Sequence, residues 1–267
     1  MYSPMCLSGI AGRIHTGLFK TGLAQRLVTL FAAPSGYYAY DLQHNLGVPA
    51  RQIRVCRLGV DVEHFTPSPR EPWTPGDDLV VGMCSRLEQV KGVDIAVEAV
   101  SKLGAESGIR LVIVGDGSMR EALEALAKAT APGQVAPHVE FRGRRDDVRE
   151  VLSEFDLYLQ TSRSPNLGLS ALEALAAGVP LAIVARDADE VEMALDTLVG
   201  DDAGAVVPAD PGDLGHWLQD FRESAGGKLE GWRAGARRTA EDHYDWEHHV
   251  DAVESAYAEA VGADGSA

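Results

Sequence analysis

From residue 79 onward the chain alternates between short apolar runs and longer stretches whose apolar positions recur at helical spacing. "LVVGMCS", "IRLVIVGDGS", "HVEFRG", "DLYLQTS" and "PLAIVAR" read as buried strands. Between them "VDIAVEAVSKLGAE", "MREALEALAKATA", "DDVREVLSEF" and "SALEALAAG" read as helices. Near-continuous Val, Ile and Leu in the strands, with a helix after each, predicts an α/β fold with a Rossmann-like, doubly wound parallel sheet. The tail "GWRAGARRTAEDHYDWEHHVDAVESAYAEAV" predicts one or two further helices.

The first 57 residues follow a different pattern. "GLFKTGLAQRLVTLFAA" has helical periodicity with Lys20 and Arg26 interleaved, and "SGYYAYDLQHNLGV" predicts a helix capped by Ser35 and stopped at Gly47. "RQIRVCRLGV" predicts a short strand. "TPSPREPWTPGDD" then places four prolines in thirteen residues, which is linker composition. The expected organisation is a head over 1–57, a Pro-rich linker over 58–77, the Rossmann-like domain over 78–240 and a C-terminal helix over 241–267.

Charge sharpens this division. The chain of 267 residues carries a net charge of −16, yet its first 57 residues hold six Lys or Arg against one Asp, leaving −21 on the remainder. An acidic bulk argues against nucleic-acid binding. The basic head, amphipathic around "LFKTGLAQRLVTLF", can lie on an anionic membrane surface or pack its apolar face against more protein. The start of the chain has no signal-peptide pattern, and no window is apolar for long enough to span a bilayer. Cys6, Cys56 and Cys84 lie far apart without metal-ligand spacing, which suits buried or idle thiols in a reducing compartment. The expected location is the cytoplasm, with peripheral contact at the inner membrane face compatible with the head.

Three turns at strand ends carry candidate chemistry, since ligands of such sheets bind at the carboxyl ends, where helix N-termini present free N–H groups. In "SRLEQVKG" Arg86 and Lys91 converge on one helix start. That pair suits a diphosphate, with Arg gripping bidentately and Lys as a point charge, or is a solvated surface pair. In "VGDGS" Gly115 and Gly117 either let a ligand approach the backbone or make a tight turn. A third glycine is missing, so this is no dinucleotide fingerprint. In "SRSPNLGLSALEALAAGVP" the backbone of Asn166, Leu167, Gly168 and Leu169 can form an anion-binding nest. Glu173 lies one turn into the following helix, where a carboxylate can accept both hydroxyls of a ribose. The adjacent His248 and His249 of the tail face different sides of a helix, a poor metal site.

Together these motifs resemble family 4 of the retaining, GT-B-fold glycosyltransferases. "RLGVDVEHFTP" resembles the family's interdomain Asn-Gly-Val-Asp-x-x-x-Phe-x-Pro segment, with Leu58 where Asn is usual. "SRLEQVKG" is similar to its Gly-Arg-Leu-x-x-x-Lys-Gly loop, "LVIVGDGS" to its Gly-Asp-Gly turn, and "SRSPNLGLSALEALAAGVP" to its Glu-x7-Glu stretch. The resemblance implies the C-terminal half of a GT-B fold preceded by a remnant of the N-terminal domain. It implies transfer of a sugar from a nucleotide-sugar donor to a glycan or lipid-linked acceptor, with retention of configuration. Arg86 and Lys91 would stabilise the departing diphosphate; Glu173 would hold the ribose. Residues 166–169 and Gly117 would contact sugar and phosphates, and "FRGRRDD", with Arg142, would lie against the base. No cofactor and no metal is expected, two cations taking that role.

Two departures qualify the resemblance. The first acid of the Glu-x7-Glu pair is here Pro165. Only about 57 residues precede the linker, too few for the family's acceptor domain, and His15 is a remote candidate for that domain's histidine. The alternative reading is therefore a non-catalytic or partner-dependent nucleotide-sugar-binding half, served by a separate acceptor-domain subunit.

Overall fold

A computed structural model describes residues 22–74, 76–129, 138–163, 168–200 and 202–264. Its contacts divide into two compact units, one formed by residues up to Gly59 and from His243 onward, the other by Val60–Asp242.

In the first unit a helix, α1 (Leu23–Leu27), precedes strand β1 (Phe31–Ala33), helix α2 (Gly36–His44) and strand β2 (Ile53–Val55). The two strands pair in parallel, Phe31 opposite Ile53 and Ala33 opposite Val55. Ser35 caps α2 as its side chain accepts from Tyr38 N–H, and Gly47 turns the chain at φ 70°. Leu42, Leu46 and Val48 close a small core with Ala33 and Ile53. The helix expected over 17–33 is corrected here: residues 31–33 form β1, and 17–21 lie outside the described residues. β-Branched Val28 and Thr29 are weak helix formers, and pairing with β2 outweighs the periodicity. The C-terminal helix, Trp246–Asp264, belongs to this unit. Glu259 of this helix pairs with Arg54, and just ahead of the helix the Tyr244 ring lies under Arg57.

In the second unit the strands are β3 (Leu79–Cys84), β4 (Ile109–Val114), β5 (Val139–Gly143), β6 (Leu157–Gln160), β7 (Leu181–Ala185) and β8 (Gly204–Pro208). All are parallel, in the order β5-β4-β3-β6-β7-β8. The chain order reverses between β3 and β6, and at that switch point the two strand ends diverge and leave a crevice. The intervening helices are α3 (Val93–Leu103), α4 (Arg120–Ala129), α5 (Arg149–Leu152), α6 (Leu169–Ala176), α7 (Ala188–Leu198) and α8 (Pro211–His243). The sheet is close-packed: a Cβ on Gly82 would lie 2.0 Å from the Phe155 ring.

Several elements depart from the pattern-based expectation. The helix expected over 146–155 is only the turn Arg149–Leu152. The elements α7, β8 and the first half of α8 carry no strong signal: β8 is five residues beginning with Gly and ending with Pro. The Pro-rich run groups with the second unit. Trp73 buries its indole in that core, and Arg70 reaches Asp156 at 2.6 Å. An aromatic anchor and a buried ion pair fasten what composition alone reads as a linker.

Candidate functional site

The crevice is built from the loops after β3 and β6. The β3 loop continues through Arg86 into a short turn (Gln89–Lys91), and Gly92 then turns left-handed, φ 62°, to start α3. A side chain at Gly92 is impossible without movement, since its Cβ would lie 2.3 Å from the Thr161 carbonyl at the end of β6. The two loops are stapled together. Thr161 Oγ1 donates to the Lys91 carbonyl at 2.8 Å and Arg163 N–H to the Val90 carbonyl at 2.7 Å. The Arg163 guanidinium holds both carboxylate oxygens of Asp94, at 2.7 and 2.6 Å, and reaches the Gln89 carbonyl. Behind it Arg186 donates to the Thr161 and Ser162 carbonyls while pairing with Glu190.

Arg86 is exposed and Lys91 half-buried, and among the described residues neither forms an ion pair. Burial, and secondarily the neighbouring Arg86, hold the Lys91 ammonium below its ordinary value. Arg86 also acts on the nearby Glu88 carboxyl, helping to hold it below its ordinary value, and both cations stand at one strand end of a unit otherwise rich in carboxylates.

On the other side of the crevice Gly168 is the N-cap of α6 and supplies no side-chain cap, so among the described residues no side chain occupies the first N–H groups of that helix, of which Ala171 N–H is bonded to the Gly168 carbonyl. Glu173 is half-buried one turn further on; burial pushes its carboxyl up and His64 draws it back down. Its direct neighbours Leu172, Ala174 and Leu175 are fully buried, so this is no ordinary solvated helix acid. Beside it a cavity of about 400 Å³ is lined by His64, Phe65, Asp147, Glu150 and Ala177, among others. Ala177 lies one helical turn from Glu173, and Asp147 ends the "FRGRRDD" segment.

The structure thus brings Arg86, Lys91, Gly168, Leu169 and Glu173 to the switch point. Asn166 and Leu167, with Pro165 and His15, lie outside the described residues. Gly117 has a packing duty: its Cβ would lie 2.5 Å from the Leu87 carbonyl, where Met119 N–H also donates. The Arg142 guanidinium is occupied by Glu140 at 2.9 and 3.1 Å and by Glu154 at 2.8 Å, so the cation is neutralised within the fold. Sequence reasoning did not single out Arg163, Arg186 or His64. The first two read as scattered surface cations, because their acidic partners are supplied by the fold or the next helix turn.

Comparison with known proteins bears on the family and the fold. The sequence model of the family described as glycosyl transferases group 1 matches residues 78–220. A D-inositol 3-phosphate glycosyltransferase of Mycolicibacterium smegmatis is 29% identical over 222 residues, covering 79% of this chain but 48% of its own length. The chain therefore spans about half the length of that relative. Two solved structures share the fold. A glycosyltransferase from Rickettsia africae superposes with a TM-score of 0.76 at 18% identity, over 96% of this chain and 69% of its own. The Anabaena protein HepE, solved with UDP, gives 0.74 at 22% identity, over 93% and 68%.

Proposed function

The chain belongs to the group 1 glycosyltransferases, and from that premise we propose that its second unit is the donor half of an enzyme that transfers a sugar from a nucleotide-sugar. The observation that carries this is the placement of two cations, Arg86 and Lys91, after β3 and of a helix start without a side-chain cap and the half-buried Glu173 after β6, the two strands that meet at the switch point. Arg86 and Lys91 take the diphosphate. The N–H groups at the start of α6, together with the backbone of residues 166–168, meet phosphate and sugar. Glu173 accepts the ribose hydroxyls, and the base lies beside "FRGRRDD", where the cavity near Asp147 offers room one helical turn away.

In the proposed reaction the bond between the sugar's anomeric carbon and the diphosphate oxygen breaks, and its electron pair leaves with the diphosphate. The acceptor hydroxyl oxygen bonds to that carbon and its proton passes to the departing diphosphate oxygen, with retention of configuration at the sugar. Arg86 and Lys91 stabilise the charge that grows on the leaving oxygen, an interaction stronger in the transition state than in the bound donor. The acceptor is a glycan or a lipid-linked sugar, presented by polypeptide beyond the donor half.

One observation favours a second reading, a donor-binding half that is inactive by itself: Pro165 stands where the family motif has an acid. Titration of Glu173→Ala with UDP, GDP and inorganic pyrophosphate tests the common core of both. The expected result is that the variant loses about tenfold or more in nucleoside diphosphate affinity, a charge-assisted hydrogen bond being worth about 1.5–3 kcal/mol, and keeps its affinity for pyrophosphate. Equal losses for all three ligands would contradict the assigned ribose contact.

A further inference from the structure

The ladder between β3 and β6 is short. It pairs Val81 with Leu157 and Gly82 with Tyr158, then ends two residues before Cys84, the last residue of β3. Beyond that point, among the described residues, no ladder bond joins the two strand ends until the loops beyond them meet again at the Arg163 N–H to Val90 carbonyl bond. Tyr158 spans the gap. It is 1% exposed, and its hydroxyl lies 3.0 Å from the Cys84 carbonyl, 3.4 Å from the Cys84 N–H and 2.8 Å from Ser170 Oγ. A phenol has one proton and two lone pairs. Donation to the Cys84 carbonyl, with acceptance from Cys84 N–H and from the Ser170 hydroxyl, satisfies it completely.

Resting on the donor-binding reading above, we infer that Tyr158 is a positioning residue of the crevice, tying the start of α6 to the end of β3 so that Glu173 and Arg86 stand at the spacing of one nucleoside diphosphate. Arg86 is two residues beyond Cys84, and Glu173 is three beyond Ser170, on the same helix face. The tether therefore joins the strand end that bears the phosphate ligand to the helix turn that bears the ribose ligand. Packing alone does not require it, since phenylalanine fills the same volume.

Calorimetric titration of the full chain with UDP, GDP and pyrophosphate tests this on Tyr158→Phe, Ser170→Ala and Ser170→Thr, with a thermal melt of each. Tyr158→Phe and Ser170→Ala are expected to weaken nucleoside diphosphate binding about threefold to tenfold, the worth of one net hydrogen bond. Pyrophosphate, which has no ribose for Glu173 to hold, is expected to weaken less than either nucleotide, and Ser170→Thr, which keeps the hydroxyl, to retain wild-type affinity. Loss of melting temperature with unchanged affinity, or equal weakening for pyrophosphate, would overturn the positioning role. Wild-type chain that binds neither nucleotide would remove the donor site and this inference with it; wild-type binding with unaffected variants removes the tether alone.

Discussion

Lys91 and Glu173 face opposite protonation problems, and the crevice makes both visible in ligand binding. Burial disfavours each charged form, so Glu173 titrates above its ordinary 4.5 and Lys91 below its ordinary 10.5. A ribose diol needs the carboxylate, and a diphosphate needs the ammonium. Nucleotide affinity is therefore expected to fall on the acid side as Glu173 takes up a proton, and on the alkaline side as Lys91 loses one. Titrations across pH should show the acid limb vanish in Glu173→Gln and the alkaline limb move up in Lys91→Arg; limbs unchanged by these substitutions would assign them to other groups. The same raised Glu173 also bears on folding. The folded chain holds that proton more tightly than the unfolded chain, so its contribution to stability is present below 4.5 and is lost as pH rises through the folded value. Arg86, Lys91 and Glu173 were legible in the sequence because each stands in a motif at a strand end. Tyr158 was not: a tyrosine within "DLYLQ" reads as core, and only the short ladder beside it reveals what its hydroxyl spans.

At the scale of elements, glycines set how closely the loops approach. Gly92→Ala would force a Cβ toward the Thr161 carbonyl at a left-handed backbone position, and Gly117→Ala one toward Leu87. Each is expected to cost about 1–3 kcal/mol by overpacking, read as a lowered midpoint in thermal melts, with Gly92→Ala also weakening nucleotide binding through Lys91. Melts at the wild-type midpoint would contradict the close approach. Arg163→Ala leaves Asp94 and the Gln89 carbonyl without their guanidinium and is expected to weaken nucleotide binding while the melt changes little, because the staple is half exposed. The strands from β3 to β7 were readable because each is a short apolar run followed by helical periodicity. Elements whose identity depends on pairing were not: residues 31–33 join a strand only because β2 lies beside them, and α5 is cut to one turn although its pattern continues.

At the scale of the whole second unit, one buried acid gathers the segment ahead of the sheet, the sheet itself and the long helix α8. Asp156 accepts from Val80 N–H at 2.8 Å and pairs with Arg70 and Arg233, each at 2.6 Å, with its side chain 4% exposed. Asp156→Ala would leave the Val80 N–H unpaired, Arg70 with only the Phe155 and Glu154 carbonyls and Arg233 with only Glu230, and is expected to cost about 1–3 kcal/mol, seen as a clear drop in the denaturation midpoint. A drop like that of a surface substitution would mean the node is solvated. The doubly wound architecture was legible from alternation alone, whereas this node was hidden, since its partners lie 86 and 77 residues apart in sequence. What the node supports is a rigid frame for the crevice, and the central claim is that the crevice binds a nucleoside diphosphate. The direct measurement is calorimetric titration of the intact chain with UDP and with GDP, beside the Arg86→Ala, Lys91→Ala double variant. Saturable binding of at least one nucleotide is expected, lost in the double variant. Binding of neither, or binding that the double variant retains, would contradict it.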